Sequence, residues 1–173
     1  MAKDYAGAWI GGSVEKEYVS ALVQGLEKKL TILHQIMDYS KEQKLLLQEE
    51  NLDPDDLDRN MENKANLIEE LEQLDKGFEQ VYERVKEALA ENITAYRPQV
   101  KRMQELIGQI SAMSALIQRE EAENKELAQQ KFAKVKKQVR EVKAGRKAVN
   151  QYYQNMMKLN YVDPQFVDTK GHR

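Results

Sequence analysis

Two histidines, His34 and His172, are the side chains of this 173-residue sequence whose ordinary pKa lies near neutrality. They stand far apart in the chain. No second His, Cys or carboxylate is spaced to join His34 as a metal ligand, so it reads as a satisfied histidine at a helix edge. There is no cysteine at all, which excludes disulfides, thiolate catalysis and Cys-ligated zinc. No glycine-rich phosphate loop or nucleophile elbow is present. Carboxylates are abundant, but they fall where polar helix faces meet solvent. The expectation is a protein that is not an enzyme and uses no cofactor or metal.

The remaining chemistry is that of contact. Lys131 to Lys147 is basic, carrying Lys134, Lys136, Lys137, Arg140, Lys143 and Arg146 against Glu141. Past Gly145 follow Tyr152, Tyr153, Met156, Met157, Leu159, Tyr161 and Phe166. Large apolar side chains this dense at the end of a polar chain need cover, and Met suits adaptable binding faces. That cover can come from the chain's own helices, from a second copy or from another protein. Nucleic acid is not expected: the formal net charge is −2, and the aromatics follow the basic run instead of interleaving with it. Membrane insertion is not expected either. The apolar face of Val135, Val139 and Val142 is thin, and no stretch approaches ~18 consecutive apolar residues. Without a basic region followed by an apolar core at its start, the chain is expected to be cytoplasmic and soluble.

The elements that must position these residues are helices. Charged residues make up 32% of the chain and aromatics 7%, with few Gly and Pro, a profile of solvent-exposed helices packed along narrow seams. A first helix is predicted from near Ser13 to near Glu50. Its seam is Val19, Leu22, Leu26, Leu30, Leu33 and Met37, widened by Ile32 and Ile36, with steps of three and four. The seam weakens at Ser40 and Lys44 and returns at Leu45, Leu46 and Leu47. Asp53 suits an N-cap and Pro54 a first helical position, with Asp55 and Asp56 favouring a positive helix start. A second helix then runs to about Ala95 through Leu57, Met61, Ile68, Leu71, Leu74, Phe78, Val81, Val85 and Leu89. Gly77 lies inside it, at a cost of ~1 kcal/mol relative to Ala; it either admits a close neighbour or is simply tolerated.

Tyr96-Arg97-Pro98 marks the next break, because the residue before a proline avoids the helical region. A third helix carries Val100, Met103, Ile107, Ile110, Met113 and Ile117. Arg119 to Glu126 is almost wholly polar, which predicts a helix projecting past its partners or solvated on every side. A thin stripe resumes at Leu127, Val135, Val139 and Val142. The acidic stretch Glu49 to Asp75 and the basic run Lys131 to Lys147 would balance if antiparallel helices brought them near each other. The predicted fold class is all-α: an elongated antiparallel bundle or coiled coil of about three long helices plus a short C-terminal helix. Residues 1–13 read as a flexible arm around Trp9, 14–145 as the bundle, and 146–173 as a helical segment and tail that binds a partner.

Four stretches carry a family resemblance: LVQGLEKKLTILHQIMDYSKEQKLLL (Leu22 to Leu47), ENKANLIEELEQLD (Glu62 to Asp75), LIQREEAENKEL (Leu116 to Leu127), and the closing AGRKAVNQYYQNM with VDPQFVD. In this layout the chain resembles the FlgN-type flagellar type III export chaperones, over roughly Val19 to Asp168. The resemblance implies a cytoplasmic chaperone that binds the terminal helices of hook–filament junction proteins, prevents their premature assembly and delivers them to components of the export gate. It implies no nucleotide or metal. It places client contact on the C-terminal helical region, here Val135, Val139, Val142, Val149, Tyr152, Tyr153, Met156 and Met157. Two other readings stay open: a structural coiled-coil homodimer closed by the Tyr/Met cluster, and a FliT-type chaperone for the filament-cap protein.

Overall fold

The computed structural model of the chain describes the backbone of residues 2–142 and the side chains of residues 14–138. Three long helices account for almost all of it: α1 (Ala2–Gln48), α2 (Pro54–Glu91) and α3 (Arg97–Val142). No strand occurs among the described residues. The all-α class and the three long helices agree with the sequence reading, whereas the expected short C-terminal helix lies outside the described residues. α1 is continuous from Ala2, so its start is earlier than the Ser13 expected, and Gly11-Gly12 does not interrupt it.

The turns are built as their residues dictate. Asp53 caps α2: its side-chain Oδ1 accepts the Asp55 amide at 2.9 Å, and Asp55 and Asp56 occupy the first turn, where the helix dipole favours negative charge. At its other end α2 stops at Glu91, short of the expected Ala95. There the Asn92 amide group donates to the Ala88 carbonyl at 3.1 Å, and the Tyr96 N–H bonds back to the Asn92 carbonyl at 3.2 Å. An Asn side chain that competes for backbone partners is a helix terminator.

The chain divides into two compact units. The first takes Met1–Leu33 from α1 and Glu69–Met113 from α2, the connection and α3. Its core clusters Val19, Leu22, Leu26, Val85, Tyr96, Met103 and Leu106, flanked by half-buried Leu30, Phe78, Val81 and Leu89. Fully burying one such aliphatic side chain contributes ~1.5–3 kcal/mol. α1 and α2 run antiparallel here, with Arg84 against Tyr18 and Asp75 against Lys29 at 2.7 Å. A Cβ built on Gly25 would meet Phe78 at 3.5 Å, an ordinary contact, and one on Gly77 would meet nothing. Gly77 is therefore tolerated, not required for a close approach.

The α3 stripe differs from the sequence reading at one position. Leu106 is fully buried, whereas Ile107 is 54% exposed. The sequence Met103, Leu106, Ile110, Met113, Ile117 steps by three and four without a break, and Ile107 falls beside it. Tyr96, at the break before α3, is a core residue that the turn signal concealed. Its hydroxyl donates to Glu15 at 2.7 Å. Burial and that hydrogen bond push its phenol up to about 12.

The second unit takes His34–Ile68 and Ser114–Arg173. At one end it closes over Leu47, Leu57, Met61 and Ala128, with Leu52, Leu127, Phe132 and Val135 half-buried against them. The acidic start of α2 and the described part of the basic α3 end thus share one unit. Lys131 reaches the Glu49 backbone carbonyl just past the end of α1. α1 has no basic residue in its own last turn, so this lysine supplies from another helix the positive charge that a helix C-terminus favours.

Candidate partner-binding region

The second unit places its most unusual chemistry on the seams themselves. Ser40, Gln43, Asn60, Lys64, Glu121 and Asn124 are all buried, and Lys64 is 0% exposed. Lys64 Nζ donates to Glu121 Oε1 at 2.5 Å and to Gln43 Oε1 at 2.6 Å. Ser40 Oγ donates to the same Glu121 oxygen at 2.6 Å. Asn124 Nδ2 donates to the Ser40 carbonyl at 2.7 Å and to Gln43 Oε1 at 3.2 Å. Asn60 Nδ2 donates to the Tyr39 carbonyl at 2.9 Å. One polar layer therefore joins α1, α2 and α3.

The rim of that layer is an ion-pair group that runs from buried Glu120 through half-buried Lys44 to exposed Glu123. Lys44 lies 2.8 Å from Glu120 and 2.6 Å from Glu123. The hydrogen bond to Glu120, then that to Glu123, holds the Lys44 ammonium above the ordinary lysine range. The same hydrogen bond from Lys44 holds the Glu123 carboxyl below the ordinary glutamate range. At the unit's end, burial, with Lys134 adding to it, lowers the Lys131 ammonium.

The layer corrects the reading of two stretches. Arg119 to Glu126 is neither projecting nor solvated all round: Glu120, Glu121 and Asn124 are buried. The weak part of the α1 seam is not a gap, because Ser40 and Gln43 occupy seam positions and face polar groups from α2 and α3. A signal was present in the spacing. Ser40 and Gln43 continue the three-four steps from Leu33 and Ile36 to Leu47, and Lys64 stands midway between Leu57 and Leu71.

Of the residues expected to contact a client, Val135 is half-buried against the cluster of Leu47, Leu57, Met61 and Ala128. Val139 and Val142 lie on the last turns of α3, where only the backbone is described. Val149, Tyr152, Tyr153, Met156 and Met157 lie outside the described residues. His34 is exposed, and no cluster of His, Cys, Asp or Glu able to hold a metal occurs among the described residues. None of the described helices is long and apolar enough to cross a membrane.

Three long helices tied together by side-chain hydrogen bonds, with no assembled catalytic constellation among the described residues, place the chain in the class of all-α helical bundles. The chain belongs to the FlgN family: the family model for FlgN protein matches residues 18–159. This is a family of flagellar export chaperones and not a known enzyme family, so the chain's partners are flagellar protein clients. No curated protein and no solved structure matches the chain.

Proposed function

We propose that this chain is the cytoplasmic export chaperone of the hook–filament junction proteins. It holds their terminal helices against premature assembly and hands them to the export gate. The observation that carries this reading is the span of the family match, residues 18–159. It runs past the described end of α3 and takes in Val149, Tyr152, Tyr153, Met156 and Met157. Val135 and Phe132 add support, because each keeps part of its apolar surface uncovered in the second unit. Val135 and Phe132 are thus the described part of the proposed client-contact region, which continues in the sequence through Val139 and Val142.

The binding physics follows from that face. An amphipathic client helix laid on it contributes ~25 cal/mol per Å² of apolar area buried, less the cost of ordering whatever the client orders. Neither nucleotide nor metal is needed for holding or release. Titration calorimetry of the full chain against the terminal helical segments of the junction proteins, with the filament-cap protein as comparator, tests the reading. Micromolar or tighter binding to the junction segments is expected. Tyr152→Ala combined with Met156→Ala should weaken it while circular dichroism stays unchanged. Preference for the filament-cap protein would reassign the client. A permanent dimer whose association is lost in the same double variant would replace the chaperone site with a homodimer seam.

A further inference from the structure

The buried polar layer does not supply stability. Gln43 Nε2, Asn60 Oδ1 and Asn124 Oδ1 are buried and have no hydrogen-bond partner among the described residues. Each such atom costs desolvation that is not returned. A buried ion pair such as Lys64–Glu121 is commonly no better than apolar residues of the same volume. Apolar replacement of such a pair is often neutral or stabilising. What the layer can supply is uniqueness.

Its surroundings on the seams show which alternatives it opposes. One heptad from Ser40 stand Leu33 and Leu47; before Gln43 stands Ile36; on either side of Lys64 stand Leu57 and Leu71; before Asn124 stands Ile117. All of these are buried and apolar. A seam of alternating threes and fours matches itself again after a slide of one heptad, ~10.5 Å along the helix. Without the layer, the shifted pairing would set mainly apolar and small seam residues against one another, since buried Ser114 and Ala128 stand one heptad from Glu121. With it, the slide takes Lys64 from Glu121 and buries an unpaired ammonium among apolar side chains. Asn124 would lose Ser40 and Gln43 in the same movement.

We infer that the layer of Ser40, Gln43, Asn60, Lys64, Glu121 and Asn124 is a register lock. It confines α1, α2 and α3 of one chain to a single alignment and disfavours heptad-shifted pairing, whether within a chain or between two copies. The lock belongs to the fold and stands whether or not the client assignment does.

The absence of cysteine gives a clean test. Lys44 and Glu123 touch at 2.6 Å on α1 and α3, so Lys44→Cys with Glu123→Cys reports the native alignment to a short thiol crosslinker. Lys44→Cys with Leu116→Cys, or with Gln130→Cys, reports a heptad slide in one direction or the other. With the layer intact, only the first pair should crosslink. With Ser40→Ala, Gln43→Leu, Lys64→Leu, Glu121→Leu and Asn124→Leu together, the shifted pairs should also crosslink. Light scattering should then find more than one mass, while the urea midpoint stays level or rises. If the combined variant yields no helical sample, Lys64→Met with Glu121→Leu removes the charge pair alone and is read the same way. A layer-free chain that crosslinks only at the native pair and keeps a single mass would overturn the lock, as would shifted crosslinks with the layer intact.

Discussion

Lys64 is the residue on which most of the second unit's chemistry converges. Its ammonium is fully enclosed, with Glu121 and Gln43 as oxygen partners. Removing one member of such a pair leaves the other charged and buried, a loss of ~3–5 kcal/mol. Lys64→Met alone should therefore lower the unfolding free energy by about that amount. Lys64→Met with Glu121→Leu should recover most of it. Urea titrations of the two variants check the pair, and equal losses in both would show that Glu121 is not the partner that matters. Neither residue reads as central in the sequence, where Lys and Glu are the commonest surface types. Their role is set by where the three-four spacing places them.

At the scale of the element, each helix is specified by different means. α2 begins at an Asp-Pro cap that was legible, because capping is local and its residues adjoin. The seams of α1 and α2 were legible from the same spacing rule. α3 was only partly so. Leu106 and Ile107 both fit an apolar stripe, and only packing in the core of the first unit selects Leu106. The polar stretches at Ser40 and at Arg119 to Glu126 each read as interruptions, because the partners that satisfy them come from other helices. A single helix does not reveal that the two interruptions meet. Of the expected client-contact residues, the structure describes the side chain of Val135 alone, and its half-burial was not legible from a thin valine stripe. The glycines give the test at this scale. Gly77 and Gly108 are helical and exposed, and a Cβ on either would meet nothing within 4 Å. Gly77→Ala and Gly108→Ala should each raise stability by ~0.5–1 kcal/mol through helix propensity and the unfolded chain. Additivity in the double variant, measured by urea unfolding, is expected.

For the whole molecule, the titrating groups set a stability profile with a defined shape. The folded state raises the pKa of Tyr96, from 10.0 to about 12, and of Lys44 and Lys86. A raised folded pKa means that the native chain keeps a proton the unfolded chain has lost. The contribution is therefore complete below the unfolded value and disappears as pH rises through the folded one. Glu123 behaves oppositely: its lowered carboxyl contributes above the ordinary glutamate value of 4.5 and loses that contribution as pH falls through its folded value. The thermal midpoint should thus fall on the alkaline side, beginning near pH 10 and continuing to about 12, with the lowered Lys131 ammonium opposing part of that fall. Circular dichroism melts across that window check it. Tyr96→Phe should remove the tyrosine part of the alkaline fall, and an unaltered profile would assign the fall to the lysines.

The lysine that reaches across to the end of α1 has a consequence for bioconjugation. The Lys131 ammonium is shifted downward, by burial first and by Lys134 second. At mildly alkaline pH a larger share of it is the free amine, the form that attacks acylating dyes. A limiting dose of such a dye should favour Lys131, one turn of α3 before Val135. Acylation also removes the charge that meets the Glu49 carbonyl, so the labelled chain carries both a fluorophore near the proposed client face and a loosened α1 end.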